Sequence, residues 1–192
     1  ARPRRAKIER FDLNQLIVES LILVKYREQA MKEIQEETDF RQPISIDSDP
    51  EQMRQVLWNL FLNACESMPK GGRLLIRTEV EAAGEGFGSG RDRVRITIRD
   101  TGEGFSPKAL QHLFTPFFTT KEGGTGLGLA IVKRIVEELQ GTAIGGNHPD
   151  GGAEISARDT RSTGVIQGSL PRGRSPVRGP CPSPARPPRP RR

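Results

Sequence analysis

The sequence of 192 residues predicts an α+β domain, because segments with the apolar spacing of helices occur along the chain together with segments that resemble strands. In three segments, apolar residues recur every three or four positions, which predicts amphipathic helices. In two others, 73–80 and 93–100, polar and apolar residues alternate as they do in half-buried strands. The length fits one domain with a substantial core and some residues left over.

Composition favours a reducing, intracellular setting for this domain. No apolar run approaches the ~20 residues that a membrane span needs, and the basic start of the chain lacks the apolar centre of a signal peptide. The two cysteines, Cys65 and Cys181, have the spacing of neither a disulfide framework nor a metal site. We therefore expect a cytoplasmic domain, whose parent protein is either cytosolic or anchored in the inner membrane.

Positive charge is concentrated at the end of the chain. The formal net charge is +6, and residues 158–192 contribute +8 through nine arginines and one aspartate, so residues 1–157 carry −2. Eight of the fifteen prolines lie in residues 171–192, a composition that cannot bury enough apolar surface to offset its ordering entropy. We predict a connector at 1–10, a folded domain at 11–157 and a disordered Arg/Pro-rich tail after it. No aromatic residue is interleaved with the arginines, so we expect no specific nucleic-acid partner.

The first helix is predicted to begin after Asp12, which together with Gln15 gives a capping-box pattern. Apolar residues at helical spacing continue to about Gln29. The two short segments that follow, 32–38 and 43–46, are predicted to be strands, although little apolar alternation supports them.

The second helix has the clearest start signals in the chain. Asp49 stands at the N-cap position and Pro50 at the first helical position, and Pro69 marks the end of the helix. Asn59 and Asn63 are four residues apart and therefore share one face. Asparagine is a mediocre helix former, so two on one stripe usually have a reason beyond helix formation. An exposed polar stripe is the alternative interpretation of these two residues alone.

The strand predicted at 93–100 runs directly into the sequence DTGEG at 100–104. An aspartate at a strand end, followed by two spaced glycines, lies beside bare backbone. Its carboxylate can accept a hydrogen bond from an exocyclic amine, and the glycines leave room for a flat ring. A tight Asp/Gly turn is the simpler alternative for these residues alone. The glycine-rich segment 82–91, between the two predicted strands, is predicted to be a hairpin loop.

The sequence is organised around residues 117–131, FFTTKEGGTGLGLAI, where four glycines precede an apolar periodic run. Glycines let the backbone approach a ligand closely, and the first N–H groups of the following helix are unpaired and partially positive. With Lys121 and three threonines nearby, this segment is a candidate phosphate-binding loop. A surface loop before an ordinary core helix is the alternative. A short helix is predicted at 107–112, and final strands at 142–144 and 153–157.

Four segments therefore follow one another in a fixed order: NLFLNACESMPKGG at 59–72, DTGEGF at 100–105, LFTPFFTTK at 113–121 and GGTGLGLAIVKRIVEELQG at 123–141. Together they resemble the N, G1, F and G2 boxes of the ATP-binding catalytic domain of two-component sensor histidine kinases, and they look most like the nitrogen-regulation type. The resemblance covers about residues 11–157. It implies the Bergerat-type two-layer α/β sandwich, in which a mixed sheet has helices on one face and a flexible ATP lid closes the site.

The resemblance also implies an activity, cofactors and partners. A domain of this family binds ATP with Mg²⁺ and transfers the γ-phosphoryl group to a histidine of a dimerisation domain. The phosphorylated histidine then passes the group to a response regulator. The parent protein is implied to be a homodimer.

Residue roles follow from the same resemblance. Asn63 would ligate Mg²⁺, Asn59 lies one turn earlier on the same face, and Lys121 would approach the phosphates, which makes these three the implied catalytic residues. Asp100 would accept from the adenine amino group. The other residues of the implied nucleotide site line the base pocket, wrap the phosphates or belong to the lid: Glu66, Gly102, Gly104, Phe117, Thr119, Thr120, Gly124, Thr125, Gly126, Leu127, Gly128 and Leu129.

The lid and the last box add further expectations. Phe117 and Phe118 would anchor the lid. Glu66 stands where many relatives carry a basic residue, and GAEI at 152–155 replaces the usual Gly-Thr-x-Phe strand.

The phosphoacceptor histidine of the family is missing from this sequence. The only histidines, His112 and His148, lack the context of an acceptor helix, and we interpret both as structural or solvated. The chain is therefore expected to donate phosphate only to a histidine supplied elsewhere.

Other functions share this fold class. Hydrolysing ATPases of the gyrase, mismatch-repair and chaperone types carry a glutamate general base at the position of Asn59, whose amide cannot take a proton from water. Anti-sigma serine kinases tend to carry the same glutamate, and the FTPFFTTK lid fits them poorly. We therefore predict phosphoryl transfer, with an ATP-hydrolysing or nucleotide-sensing module as the alternative.

Overall fold

The computed structural model describes residues 7–27, 33–81, 92–121 and 123–159. The predicted loop at 82–91, Cys181 and the predicted tail beyond residue 159 lie outside the described residues. Within them, no helix combines the length and the apolar character needed to cross a membrane. The elements in chain order are β1 (Glu9–Asp12), α1 (Leu13–Arg27), β2 (Ile34–Phe40), β3 (Ser45–Ser48), α2 (Pro50–Ser67), β4 (Gly72–Glu81), β5 (Arg93–Asp100), α3 (Pro107–Gln111), α4 (Gly128–Glu138), β6 (Thr142–Asn147) and β7 (Ala153–Asp159).

Five strands form a mixed sheet in the order β2-β4-β5-β7-β6. β2 runs parallel to β4, and the other three pairings are antiparallel. β1 and β3 form a separate two-stranded antiparallel sheet. The predicted α+β class with a mixed sheet is confirmed.

The core lies between one face of the five-stranded sheet and the helices. Phe61 and Leu57 of α2, Ile76 of β4 and Val132 of α4 have no exposed surface. α2 contacts β5, and α4 contacts β6 and β7, so both helices cover the same sheet. On the strands, alternate residues face away from this core and carry charge, as in the pair Arg77–Asp39, where Nε and Oδ2 are 2.8 Å apart. This arrangement gives two layers, with polar residues on the open face of the sheet.

The first helix begins where its capping pattern predicts. Asp12 Oδ1 accepts a hydrogen bond from the Gln15 N–H at 3.0 Å, and α1 continues to Arg27. Residues 9 and 10, assigned from the sequence to the connector, instead begin β1. Their strand conformation depends on pairing with β3, a contact that no local sequence pattern indicates.

The second helix also begins at its predicted cap. Asp49 Oδ1 accepts from the N–H groups of Glu51 and Gln52 at 2.9 and 3.1 Å, which satisfies two of the donors left unpaired at a helix start. Asp49 Oδ2 accepts from the Lys7 N–H at 2.9 Å. The fixed start and the buried apolar face of α2 determine which way its polar stripe, with Asn59 and Asn63, points.

The final strands are longer than predicted. β6 extends to Asn147, and β7 extends beyond residue 157 to Asp159. The extra residues of β7 pair with β5, Arg158 opposite Arg95 and Asp159 opposite Val94. The fold therefore includes two residues that composition alone assigned to the tail.

Candidate active site

A cleft of about 790 Å³ opens between α2, the loop after β5 and the start of α4. The remaining wall of the cleft is the segment between α3 and α4, residues 113–121 and 123–127, which we call the lid. The volume lies within the usual range for sites that hold a nucleotide-sized ligand. A second cavity, of about 20 Å³, lies in the apolar core and holds at most one water-sized sphere.

The cleft brings together most of the residues that the sequence assigned to a nucleotide site. The predicted residues that line it are Asn59, Asn63, Glu66, Gly104, Thr119, Thr120, Lys121, Gly124, Thr125, Gly126, Leu127, Gly128 and Leu129. Three predicted residues, Asp100, Gly102 and Phe117, are not part of its lining. Phe118, which the sequence assigned to the lid, also lines the cleft. The lining residues that sequence reasoning missed are Leu62, Ser67, Glu103, Phe105, Ser106, Ala109, Leu113, Ile131 and Ala153.

Lys121 of the lid reaches across the cleft to α2. Its Nζ lies 3.1 Å from Asn63 Oδ1, 3.3 Å from the Asn63 carbonyl oxygen and 2.8 Å from Glu66 Oε2. Three oxygens from one turn of helix thus surround a single ammonium group. The same oxygens form a site that suits a hard cation.

Asn59 makes different contacts from Asn63. Its Nδ2 donates to the Gln55 carbonyl oxygen at 2.8 Å, which ties the side chain to its own helix. Its Oδ1 faces the first residue of α4, since a Cβ added to Gly128 would lie 3.4 Å from that oxygen. Asn59 therefore lies where α2 and α4 approach each other at the cleft.

Asp100 lies behind the lining of the cleft, with 3% of its surface exposed. Its Oδ1 accepts from the N–H groups of Gly102 at 2.9 Å and Ala153 at 3.3 Å, which fixes the orientation of the carboxylate. Gly102 packs on the end of α2, because an added Cβ would collide with the backbone and side chain of Ser67. Gly152, at φ 80°, packs equally closely on Asp100, whose carbonyl oxygen an added Cβ would meet. A larger residue at position 102 would therefore collide with Ser67, and one at position 152 with Asp100.

Asn147, at the end of β6, was missed by the sequence analysis. Its Oδ1 accepts from the Phe105 N–H at 2.7 Å and its Nδ2 donates to the Phe105 carbonyl oxygen at 2.8 Å. Gly104, at φ 71°, leaves room for this amide, since an added Cβ would lie 2.8 Å from Asn147 Oδ1. Asn147 thus fixes the backbone of the loop that forms one wall of the cleft. The available signal was an asparagine at the start of the turn between the two predicted final strands, three residues after Ile144.

The lid folds back on itself at Gly126. This residue has φ 65°, and an added Cβ would lie 2.6 Å from Phe117 C and 2.7 Å from Phe118 N. The Phe117 N–H donates to the Gly126 carbonyl oxygen at 2.9 Å. At Gly124 an added Cβ would lie 2.7 Å from Thr119 Oγ1. Glycine is therefore required by space as well as by backbone conformation at Gly126.

The two phenylalanines of the lid have different surroundings. Phe118 packs against His112 with ring centroids 5.0 Å apart and lines the cleft. Phe117 is 77% exposed and adopts φ 63°, which does not fit the expectation that its ring anchors the lid. The close approach of Gly126 to the backbone at 117 and 118 accompanies this unusual conformation.

His148 accepts from the Asp150 N–H at 3.2 Å within a turn.

The start of α4 faces the cleft without a side-chain cap. Leu127 at the N-cap position makes no capping hydrogen bond, and the first turn begins with Gly128 and Leu129, which both line the cleft. The unpaired N–H groups of a helix start attract anions. The cleft thus combines an ammonium group, amide and carboxylate oxygens and a partially positive helix start, with a buried carboxylate behind it. This set suits a phosphorylated ligand whose flat ring carries a hydrogen-bond donor.

Comparison with known proteins shows which family this chain matches. The family described as Histidine kinase-, DNA gyrase B-, and HSP90-like ATPase matches residues 48–159, which include every predicted site residue. Among curated proteins, sensor histidine kinase ZraS of Klebsiella oxytoca is 39% identical over 154 residues, which cover 79% of this chain and 31% of ZraS. The chain thus spans about a third of the length of that relative.

Solved structures of histidine kinases have the same fold. Full-length ShkA in complex with AMPPNP is 28% identical with a TM-score of 0.69, and the match covers 86% of this chain and 33% of ShkA. Histidine kinase ThkA, solved in complex with response regulator protein TrrA, is 25% identical with a TM-score of 0.66, and the match covers 84% of this chain and 44% of ThkA. From its fold, its cleft and these matches, the chain belongs to the family of histidine kinase-, DNA gyrase B- and HSP90-like ATPases.

Proposed function

We propose that this chain binds ATP with Mg²⁺ in the cleft and transfers the γ-phosphoryl group to a histidine on a dimerisation domain. The observation that carries the proposal is the convergence of Asn63 Oδ1, Lys121 Nζ and the uncapped start of α4 on one cleft. The resemblance of the whole fold to ShkA, which was solved with AMPPNP, supports a nucleotide as the ligand. The similarity to ZraS supports histidine as the acceptor.

Phosphoryl transfer depends mainly on positioning and on neutralising charge, and the residues of the cleft suit both tasks. Asn63 is the proposed ligand of Mg²⁺, because its Oδ1 already accepts a cationic group, the ammonium of Lys121, at 3.1 Å. Mg²⁺ is a hard cation that prefers oxygen ligands and few protein contacts, and when bound it neutralises charge between the phosphates. Lys121 and the first N–H groups of α4 are the proposed partners of the phosphate oxygens.

Asp100 is the residue that we propose recognises the base of the nucleotide. Gly102 and Ala153 fix the orientation of its carboxylate, which is the proposed acceptor for an exocyclic amine. Gly104 and Phe105, held by Asn147, form the wall beside it. These contacts favour adenine over guanine, whose corresponding position carries an acceptor.

Transfer is favoured over hydrolysis by the residue at position 59. A hydrolysing site needs a base that takes a proton from the attacking water. Asn59 carries a neutral amide whose Nδ2 donates to Gln55, and an amide does not accept that proton at neutral pH. With this side chain the site can position a triphosphate but cannot activate water through residue 59.

The proposed partners follow from the length of the relatives. ZraS is about three times as long as the matched segment, so we infer that the substrate histidine lies in a dimerisation domain outside this chain. A response regulator is the proposed final acceptor, which the complex of ThkA with TrrA supports. The parent is proposed to act as a homodimer whose catalytic domain lies in the cytoplasm.

The test is a transfer assay with radiolabelled Mg-ATP. The chain is mixed with a dimerisation fragment that contains the phosphoacceptor histidine of a similar kinase, and the label on the fragment is measured. We expect phosphate that is lost in acid and retained in base. Asn63→Ala should reduce labelling by at least about tenfold, since it removes the proposed metal ligand.

Two results would replace the proposal. Steady release of free phosphate without label on the fragment would indicate an ATPase, and nucleotide binding with neither reaction would indicate a sensing module. A fragment whose histidine is replaced by glutamine is the control for labelling at other sites.

A further inference from the structure

Lys121 already carries its own counter-ion in this structure. Glu66 Oε2 lies 2.8 Å from Lys121 Nζ, closer than either oxygen of Asn63. Glu66 lies three residues after Asn63 on α2, so the two side chains emerge from the same face of the helix. The lysine side chain is 35% exposed and the glutamate 54% exposed, which places the pair at the mouth of the cleft rather than in the core.

The contact connects two parts of the cleft that are distant in sequence. Lys121 belongs to the lid and Glu66 to α2, 55 residues earlier. The same ammonium group also donates to Asn63 Oδ1, the oxygen assigned above to the metal. An ammonium 3.1 Å from this oxygen takes one of its two lone pairs and repels a Mg²⁺ ion bound at the other, so the lysine and the metal disfavour each other here.

We propose that Glu66 sets the affinity for nucleotide by holding Lys121 on α2 in the free protein, so that a bound triphosphate must first take Lys121 away from Glu66. The proposal rests on the proposed function, since it assigns Lys121 to the phosphates. Glu66 is then a competitor of the phosphates rather than one of their ligands. Its contact also ties the lid to α2 while the cleft is free of nucleotide.

The sign of the effect follows from charge. Glu66 neutralises the lysine that would attract the phosphates, so its removal leaves Lys121 available to them and strengthens nucleotide binding. The size is limited because both partners are partly exposed. Exposed pairs contribute about 0.2–1 kcal/mol, so Glu66→Gln should tighten binding by about 1.4- to 5-fold.

A double-mutant cycle tests the coupling between the two residues. The dissociation constant of AMPPNP with Mg²⁺ is measured by calorimetry for the wild type, Glu66→Gln, Lys121→Met and the double variant. We expect Glu66→Gln to tighten binding when Lys121 is present and to leave the affinity unchanged in the Lys121→Met background. Glu137→Gln is the matched control, because Glu137 pairs with another partly exposed lysine, Lys133, at 3.9 Å on α4.

Each other outcome of the cycle overturns the proposal. Weaker binding by Glu66→Gln would make Glu66 a ligand of the metal or the nucleotide. Equal tightening with and without Lys121 would indicate simple repulsion of the phosphates without competition for the lysine. An unchanged affinity, or the same change in Glu137→Gln, would show that the pair does not influence binding.

A measurement without nucleotide separates this proposal from the proposed function. In the free protein, Glu66→Gln and Lys121→Met should both speed amide hydrogen exchange in the lid, relative to the wild type and to Glu137→Gln. Unchanged exchange in the lid would overturn the tether even if nucleotide binds. Faster exchange in a protein that binds no nucleotide would retain the tether and overturn the proposed function.

Discussion

At the end of β5, the carboxylate of Asp100 is buried and receives N–H groups from two separate segments of the chain. Gly102 donates from the loop that follows the strand, and Ala153 donates from the start of β7. A buried carboxylate needs such donors, because burial without them is costly. The contacts join the two segments and at the same time fix the orientation of the carboxylate. Under the proposed function, Oδ1 contributes to stability and the other oxygen to recognition of the base.

Replacing Asp100 by asparagine separates these two roles. The amide keeps Oδ1 as the acceptor for both N–H groups, and an NH₂ group replaces the other oxygen. We expect ATP affinity to fall by about 10- to 100-fold, because a donor facing the adenine amino group leaves two donors unpaired at about 1–3 kcal/mol. Calorimetric titration with AMPPNP measures this, and thermal unfolding should change little. Asp100→Ala is the contrast: it removes the acceptor for both N–H groups and should lower the melting temperature as well.

Asn147 acts on the cleft through the backbone of Phe105. The side-chain amide makes both hydrogen bonds that a paired strand residue would make, at 2.7 and 2.8 Å. It thereby gives Phe105, in a loop outside the sheet, the pair of backbone hydrogen bonds that a neighbouring strand would supply. Its role is to position the wall of the cleft, since its polar atoms are used by the loop.

Asn147→Ala should therefore weaken nucleotide binding by about 3- to 10-fold and lower the free energy of unfolding by about 1 kcal/mol. Asn14→Ala is the matched control, because Asn14 also links separate segments, by donating to the Gln42 carbonyl oxygen and accepting from Thr78. The control should lose similar stability in urea titrations and keep the wild-type affinity for AMPPNP. Equal affinity in both variants would contradict a positioning role for Asn147.

Among the elements, α2 and the lid contribute most to the cleft. The start of α2 is fixed by Asp49 and its apolar face is buried, so the asparagines on its opposite stripe have one orientation. The lid has little regular structure, and its path depends on close backbone contacts around Gly126. The helix thus holds Asn59 and Asn63 in a defined orientation, and the lid brings Lys121 to Asn63.

The contacts of the lid predict different effects at two of its glycines. Gly123 and Gly126 both have positive φ, 72° and 65°, so alanine adds similar backbone strain at each. Among the described residues, an added Cβ meets nothing within 4 Å at Gly123 but lies 2.6 Å from Phe117 C at Gly126. We expect Gly126→Ala to weaken AMPPNP binding by at least about tenfold. Gly123→Ala should weaken it by about fivefold or less, because it adds backbone strain without a steric clash. Similar losses in both variants would show that strain rather than space determines the lid.

On the scale of the whole molecule, the cleft lies at the border between the helical layer and the sheet. α2 and α4 pack on the same face of the sheet, and the end of β5 and the start of β7 meet beside them. The last strand extends to Asp159, the residue at which the family match also ends. Arg158 contributes an ion pair to this end of the sheet, with Nε 2.9 Å from Glu81 Oε2.

Truncation tests where the folded domain ends. A chain that stops after Asp159 should keep its free energy of unfolding within about 0.5 kcal/mol and its affinity for AMPPNP, since β7 is intact. A chain that stops after Ala157 loses the pairing of two residues with β5 and the contact with Glu81. It should be less stable by about 1–2 kcal/mol in urea titrations. Equal stability of the two truncations would place the end of the fold at residue 157.

Much of the fold could be predicted from the sequence, because local physics determines its helices and central strands. Asp12 and Asp49 cap helices, and the alternation at 93–100 matches β5 residue for residue. The family and the mixed sheet could also be predicted, because four motifs in a fixed order resemble those of a known family. Most cleft residues lie in those motifs and were found with them. The information in each cap, strand and motif lies within a short stretch of neighbouring residues.

Tertiary structure alone decided the rest, because those features depend on residues far apart in the chain. β1 and the end of β7 form only by pairing with distant strands. Asn147 reaches Phe105 across 42 residues, and Lys121 reaches Glu66 across 55. Phe117 is exposed at the point where the backbone of Gly126, nine residues later, lies against its own. A local pattern specifies which elements form, whereas the choice of which side chain meets which is made when those elements pack together.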